Sequence, residues 1–238
     1  MRTPTEAMVH HKGMGRFALA LAFVLPLAAQ TASLDAAFAR LDKTSQQFHT
    51  MTADINRVVH TAIVNADEKD SGTIKVKIEK NHDTRMLIDF TAPDAKAVSI
   101  DSTEATIYYP KIKTAQAYNI AGKKALVEEF LLLGFGASSG ALKESYDVTL
   151  AGTEKIGAEN TWHLQLVPKS KEVLQRLKKA ELWISESSGL PAQQRFVTSS
   201  TGDFTLVTYS NVKFNPSISD SALKLNLPKG VKVEHPQL

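Results

Sequence analysis

The 238-residue chain contains no cysteine. Disulfides, thiolate metal sites, iron–sulfur clusters and a thiol nucleophile are therefore excluded. So is the lipidated cysteine that would anchor a bacterial lipoprotein. Net charge is also small. The 28 Lys and Arg against 25 Asp and Glu leave +3, without the clustered basic residues that nucleic-acid binding needs. After residue 33 no apolar run approaches the roughly 20 residues of a membrane span. What is present is an ordinary globular balance, 43% hydrophobic and 22% charged, enough for a sizeable core in one domain.

Residues 1–33 differ from the rest. Arg2, Lys12 and Arg16 give a basic start, followed by an uncharged apolar run from Phe17 to Ala29 and the small-residue stretch Ala28–Ser33. The run is too short to span a bilayer comfortably. The pattern reads as a Sec-type secretory signal peptide, with processing expected after Ser33. Removing it takes away three basic residues and Glu6, leaving a nearly neutral mature chain. A soluble periplasmic protein is the expectation, with 34–238 as a single domain.

Leu34, Phe38, Leu41, Ser45 and Phe48 are spaced 4-3-4-3, which predicts an amphipathic helix. Strands follow. Ala53–Asn65 is rich in β-branched residues, and 65–72 reads as a polar turn. Thr73–Glu79 alternates strictly, with Ile74, Val76 and Ile78 on one face, and Arg85–Ala92 puts Met86, Ile88 and Phe90 together. Further strands are predicted at 97–101, 105–109, 114–120, 146–156, 161–167, 180–185, 192–198 and 204–214, with a short helix near 170–179. Between the two halves, Gly122–Gly134 predicts a helix with an unusually wide apolar face, carrying Leu126, Phe130 and Leu133. A hinge-like segment, Phe135–Gly140, follows it.

The total is about eleven strands with few helices, a meander rather than βαβ units. Such a sheet twists and curls, and its apolar face must be covered. One reading is an ordinary closed core. The other is a container for an apolar ligand, with the glycine-bracketed helix as its lid.

This layout resembles the LolA-type outer-membrane lipoprotein carriers and lipoprotein-sorting proteins. The resemblance runs from about Leu34 to Pro236. It is carried by the opening helix ending in Phe48, by Arg85–Pro93, by Val98–Pro110 with its Tyr108-Tyr109 step, and by Leu133-Gly-Phe-Gly136. Leu164–Lys169, Ala180–Ser185 and Leu225–Val231 add to it. Met86 stands where the family often has an aromatic residue, and Ser102-Thr103 where it has an Asp-Gly-like turn.

The resemblance implies a mainly β (α+β) fold: a half-open antiparallel barrel of about eleven strands with a helical lid. It implies a non-enzymatic carrier, without cofactor or metal, that takes acylated lipoproteins from an inner-membrane releasing ABC complex to an outer-membrane acceptor. A monomer is expected. The cavity and lid residues on this reading are Phe38, Met86, Ile88, Phe90, Val98, Ile107, Tyr109, Leu126, Phe130, Leu133, Phe135 and Trp183. Arg85 is the expected lid latch, with Lys80 and His82 as alternates, because a guanidinium can donate several fixed hydrogen bonds to lid carbonyls. A carrier of another lipid, of glycolipid or hopanoid type, and an envelope sensor or scaffold share the fold and stay open as alternatives.

Catalytic readings are weaker. Gly136-Ala-Ser138-Ser-Gly140 matches G-x-S-x-G, but a nucleophile elbow needs a strand before it, and here a helix is predicted there. His49, His60, His82, His163 and His235 lack ligand spacing.

Overall fold

The structure, a computed structural model, describes residues 26–79, 84–101, 103–121, 133 and 135–236, with side chains from Leu34 onward. Twelve strands form one sheet: β1 (Thr50–Thr61), β2 (Ala66–Ile78), β3 (Thr84–Ala92), β4 (Lys96–Asp101), β5 (Glu104–Tyr109), β6 (Thr114–Asn119), β7 (Tyr146–Ile156), β8 (Glu159–Pro168), β9 (Lys179–Ser185), β10 (Pro191–Val197), β11 (Phe204–Phe214) and β12 (Lys232–Glu234). Among the described residues the α-helices are α1 (Pro26–Gln47), α2 (Ser139–Ser145) and α3 (Lys171–Arg176).

The strand order is β12-β6-β5-β4-β3-β2-β1-β11-β10-β9-β8-β7. β6 and β12 pair in parallel and every other neighbour is antiparallel. β7 and β12 are the free edges, so the sheet is open rather than closed into a barrel. The predicted mainly β, half-open architecture is the one observed. The twelfth strand, three residues near the C-terminus, is too short to show an alternation in sequence.

Register carries the apolar alternation across the sheet. Ala53 faces Ile74, Ile74 faces Ile88, Ile88 faces Val98 and Val98 faces Ile107. These residues share one side, the inner face. Two core clusters lie on it. Beneath α1, Phe38 and Leu41 pack with Leu164, Leu166, Leu182 and Ile184. Across β1–β4, Met51, Ile55, Ile74, Val76, Met86 and Phe90 pack with Phe48, Phe135 and Tyr209.

α1 begins at Pro26, ahead of the processing position expected after Ser33. It is fixed by polar bonds to the β9–β10 turn: Arg40 donates to the carbonyls of Glu186 and Ser187, and Thr44 Oγ1 to that of Ser188 at 2.7 Å. On the outer face, Leu225 and Val231 of the C-terminal segment cover Ala97, Tyr108 and Ala115.

Three local readings change. The strand predicted through Asn65 stops at Thr61, and Ala62–Val64 forms a 3-10 turn that leaves Ile63 83% exposed. Asn65 closes it in the left-handed conformation, φ 48°, which asparagine tolerates. The polar stretch after it is not a turn. It is the first half of β2, held by cross-strand pairs such as Arg57–Asp70 and His60–Asp67. Finally, Ser138 is the N-cap of α2, its hydroxyl accepting from Ala141 N at 3.2 Å, which is a structural role for the G-x-S-x-G serine. The predicted helix 122–134 lies outside the described residues except for Leu133.

Candidate functional site

A cavity of about 240 Å³ opens on the inner face, walled chiefly by the second of the two core clusters. Its floor is Ile55, Ile74, Met86 and Phe90. Ile88, Val98, Phe196 and Val207 line it too and are half-buried, so an apolar rim meets solvent. Phe135, 1% exposed, forms part of the wall and packs edge-on against Tyr209 at 5.1 Å. Three polar side chains reach the wall: Arg57, Gln194 and Tyr209. Two roomier clefts, of about 520 and 530 Å³, carry charged walls instead. One lies on the outer face against the C-terminal segment, with Lys75, Asp89 and Lys224, and the other between Phe48, His49 and Glu79.

Of the residues expected to line an acyl cavity, Met86, Ile88, Phe90, Val98 and Phe135 come together here. Ile107 and Tyr109 share the inner face but stand one strand further on, on β5, outside the lining. Phe38 and Leu133 belong to the cluster under α1. Leu126 and Phe130 lie outside the described residues. Trp183 stands on the outer face, stacked on His163 at 4.2 Å. Its neighbours Leu182 and Ile184 point inward, so the pleat turns Trp183 away.

Arg85 also faces outward, because Met86 faces in. Its guanidinium lies 3.5–3.6 Å from Glu79, Asp101 and Asp220. Asp220 sits in the C-terminal segment and accepts a hydrogen bond from Lys77, which holds its carboxyl below the usual range. What Arg85 visibly ties to the sheet is that segment. Lys80 and His82 lie outside the described residues.

Two features were not legible in sequence. The first is a hydrogen-bonded chain inside the apolar wall: Tyr209 OH donates to Gln194 Oε1 at 2.6 Å, and Gln194 Nε2 donates to the Leu133 carbonyl. Burial pushes the Tyr209 phenol far up, so it stays a donor at working pH. The second is a charged group at the rim. Asp70, 5% exposed, accepts from Arg57 Nε at 2.8 Å and from Lys96 Nζ at 2.9 Å. Both cations stand over the Phe90 ring, at 4.9 and 5.1 Å from its centroid.

Burial alone would raise the Asp70 pKa, but the hydrogen bonds from Lys96 and Arg57 outweigh it and the carboxyl is lowered. A lowered folded-state pKa means stability that is present above the unfolded value, about 4, and lost as pH falls through the folded one. Asp70→Asn is therefore expected to cost about 3 kcal/mol at pH 7, because it strands two partly buried cations. The gap to the unsubstituted chain should close as pH falls through the folded-state value, which lies below the ordinary carboxylate one. Urea unfolding at pH 7 and in this acid range checks both halves.

No family model and no curated relative matches the chain. Solved structures do. MucB aligns over 82% of this chain at 13% identity and a TM-score of 0.52; the aligned part is 63% of MucB, so the chain spans less than two thirds of it. MucB has also been solved in complex with MucA(peri). An uncharacterized conserved protein from Thermus thermophilus aligns over 86% of this chain and 99% of its own, at 13% identity and 0.55. A LolA-superfamily protein from Nitrosomonas europaea aligns over 80% and 97%, at 13% and 0.40. Likeness at such identities speaks for architecture alone, here an open, mostly antiparallel β-sheet with few helices among the described residues.

Proposed function

We propose that this chain is a periplasmic carrier that takes the acyl chains of lipoproteins into its inner-face cavity and moves them from the inner to the outer membrane. On this reading residues 1–33 are the export signal. The cargo comes from an inner-membrane lipoprotein-releasing ABC complex and goes to an outer-membrane acceptor, and the carrier itself does no chemistry. The observation that carries the reading is the apolar cavity with a half-exposed rim and the buried Phe135 in its wall. Among the described residues no helix is long and apolar enough to cross a membrane.

The energetics fit a carrier better than a store. Each acyl CH2 leaving water contributes about 0.8 kcal/mol, so capture is easy and release is the harder step. A cavity of about 240 Å³ is below the roughly 300–1,000 Å³ of common ligand pockets. A long chain entering so small a space must push wall residues such as Phe135 aside, and this competition moderates the affinity. Differential binding to the narrow and widened states of the cavity is the coupling that loading and handover require.

Native mass spectrometry with lipid extraction, on protein taken from the periplasm, tests the reading. A co-purifying triacylated protein is the expected result. A free lipid without protein would move the cargo to the second reading, a lipid carrier, which the cations at the rim favour. An empty protein that also fails to bind a fluorescent fatty-acyl probe would overturn the carrier reading altogether.

A further inference from the structure

Beside the cavity stands more positive charge than its buried partner neutralises: Arg57 lines the cavity, and Lys96, which lines the outer-face cleft, meets it over the Phe90 ring. Arg57 comes from β1 and Lys96 from β4, and strand pairing brings them to the same ring, Phe90 of β3. Their side chains are only 26% and 17% exposed. Asp70, from β2, balances one of the two charges. The second counter-charge is Glu68, whose carboxylate stands 3.6 Å from Arg57 and 3.5 Å from Lys96 and whose side chain is 65% exposed. That is beyond good hydrogen-bond distance. Asp70 is thus a fixed partner and Glu68 a loose one.

Donors are also left over. A guanidinium has five N–H groups and an ammonium three, and Asp70 takes two from Arg57 and one from Lys96. Arg57 itself lines the cavity, beside Ile88, Phe90 and Val98. An amphiphile whose tail lies along those residues would bring its head to the two cations.

We propose that Arg57 and Lys96 form a headgroup site for an anionic lipid, a carboxylate or phosphate at the end of an acyl or alkyl chain, and that Glu68 holds the place of that anion until it arrives. The inference rests on the reading of the cavity as an acyl site and takes the second cargo, a free lipid, since the acyl chains of a lipoprotein end on uncharged ester and amide links. Asp70 remains in place throughout and keeps the two cations apart from bulk water. An uncharged head would leave the spare donors unused and would not displace Glu68.

The test is calorimetric titration of the protein with decanoate, decyl phosphate and decanol below their aggregation limits. Both anions are expected to bind at least about tenfold more tightly than decanol, the worth of one charge-assisted hydrogen bond pair. Glu68→Gln, at an exposed position, should tighten both anions several-fold and leave decanol unchanged. Lys96→Met should bring the anions close to decanol. Because that change loosens Asp70, the thermal melt of Lys96→Met is read beside it, and a folded variant that still prefers the anions overturns the site. A tighter decyl phosphate points to a phospholipid-type head, and a tighter decanoate to a free fatty acid. If decanol binds as well as the anions, or Glu68→Gln changes nothing, the headgroup site is wrong and the acyl cavity stands. If none of the three binds, both fall.

Discussion

Gly72→Ala is expected to lower stability by about 3 kcal/mol or more and the melting temperature by roughly 10 °C. A Cβ at this position would stand 2.0 Å from the Asp89 carbonyl oxygen, 2.7 Å from Phe90 Cα and 2.8 Å from the Asp89 carbonyl carbon. All three are backbone atoms of the paired strand, so no rotamer change relieves the clash. The strands must separate. Gly72 also marks the register shift between β2 and β3, where a bulge lets two backbones approach closely. Moving β3 away drags Phe90, which is both cavity floor and the ring beneath Arg57 and Lys96. Acyl-probe binding should therefore fall together with stability. The same change at Gly140, where the nearest atom is Ser138 Oγ at 3.7 Å, is the control and should be neutral or slightly stabilising. Thermal melts of the two variants decide it. A Gly72→Ala melt close to the original would mean that the β2–β3 pair gives way at little cost.

Gly72 also shows where sequence reading loses its grip. Ile74, Val76, Met86, Ile88 and Phe90 advertise their shared face, because a half-buried strand alternates with period two and each partner repeats the pattern. The residues just before them, 66–71, show the opposite composition and read as a turn. They are a strand because their charges find partners 13 and 26 positions away, Arg57 and Lys96. No local periodicity announces such a pair. Trp183 fails differently. β9 is buried on both faces, so its run of apolar residues names no inward side. Arg85 could have been placed correctly, since alternation with Met86 already sends it outward. Gln194 could not. A glutamine in a strand of mixed polarity carries no sign that it will be 3% exposed and bonded to a segment some 60 residues earlier.

That glutamine is the site of the second large effect. Gln194→Leu is expected to lower stability by about 2–4 kcal/mol while raising affinity for an acyl probe about tenfold. Leucine nearly matches the volume but accepts and donates nothing. It strands the Tyr209 hydroxyl and the Leu133 carbonyl in an apolar wall, and each orphan costs about 1–3 kcal/mol. The same bond ties Leu133 to the sheet two residues ahead of Phe135, which stands in the cavity wall. With the anchor gone, an acyl chain displaces Phe135 against less resistance, and apparent affinity rises as the competent state becomes more populated. Adding Tyr209→Phe should restore part of the stability, because it removes the stranded hydroxyl and keeps the ring that meets Phe135 edge-on. The double variant should keep the gain in affinity, since the Leu133 anchor is still missing. Denaturation and probe titration on the two single variants and the double give the full cycle. Stability and affinity moving in opposite directions would identify Phe135 as the competitor of the cargo. If they fall together, Gln194 only braces the wall, and the moderation of affinity must come from elsewhere in the chain.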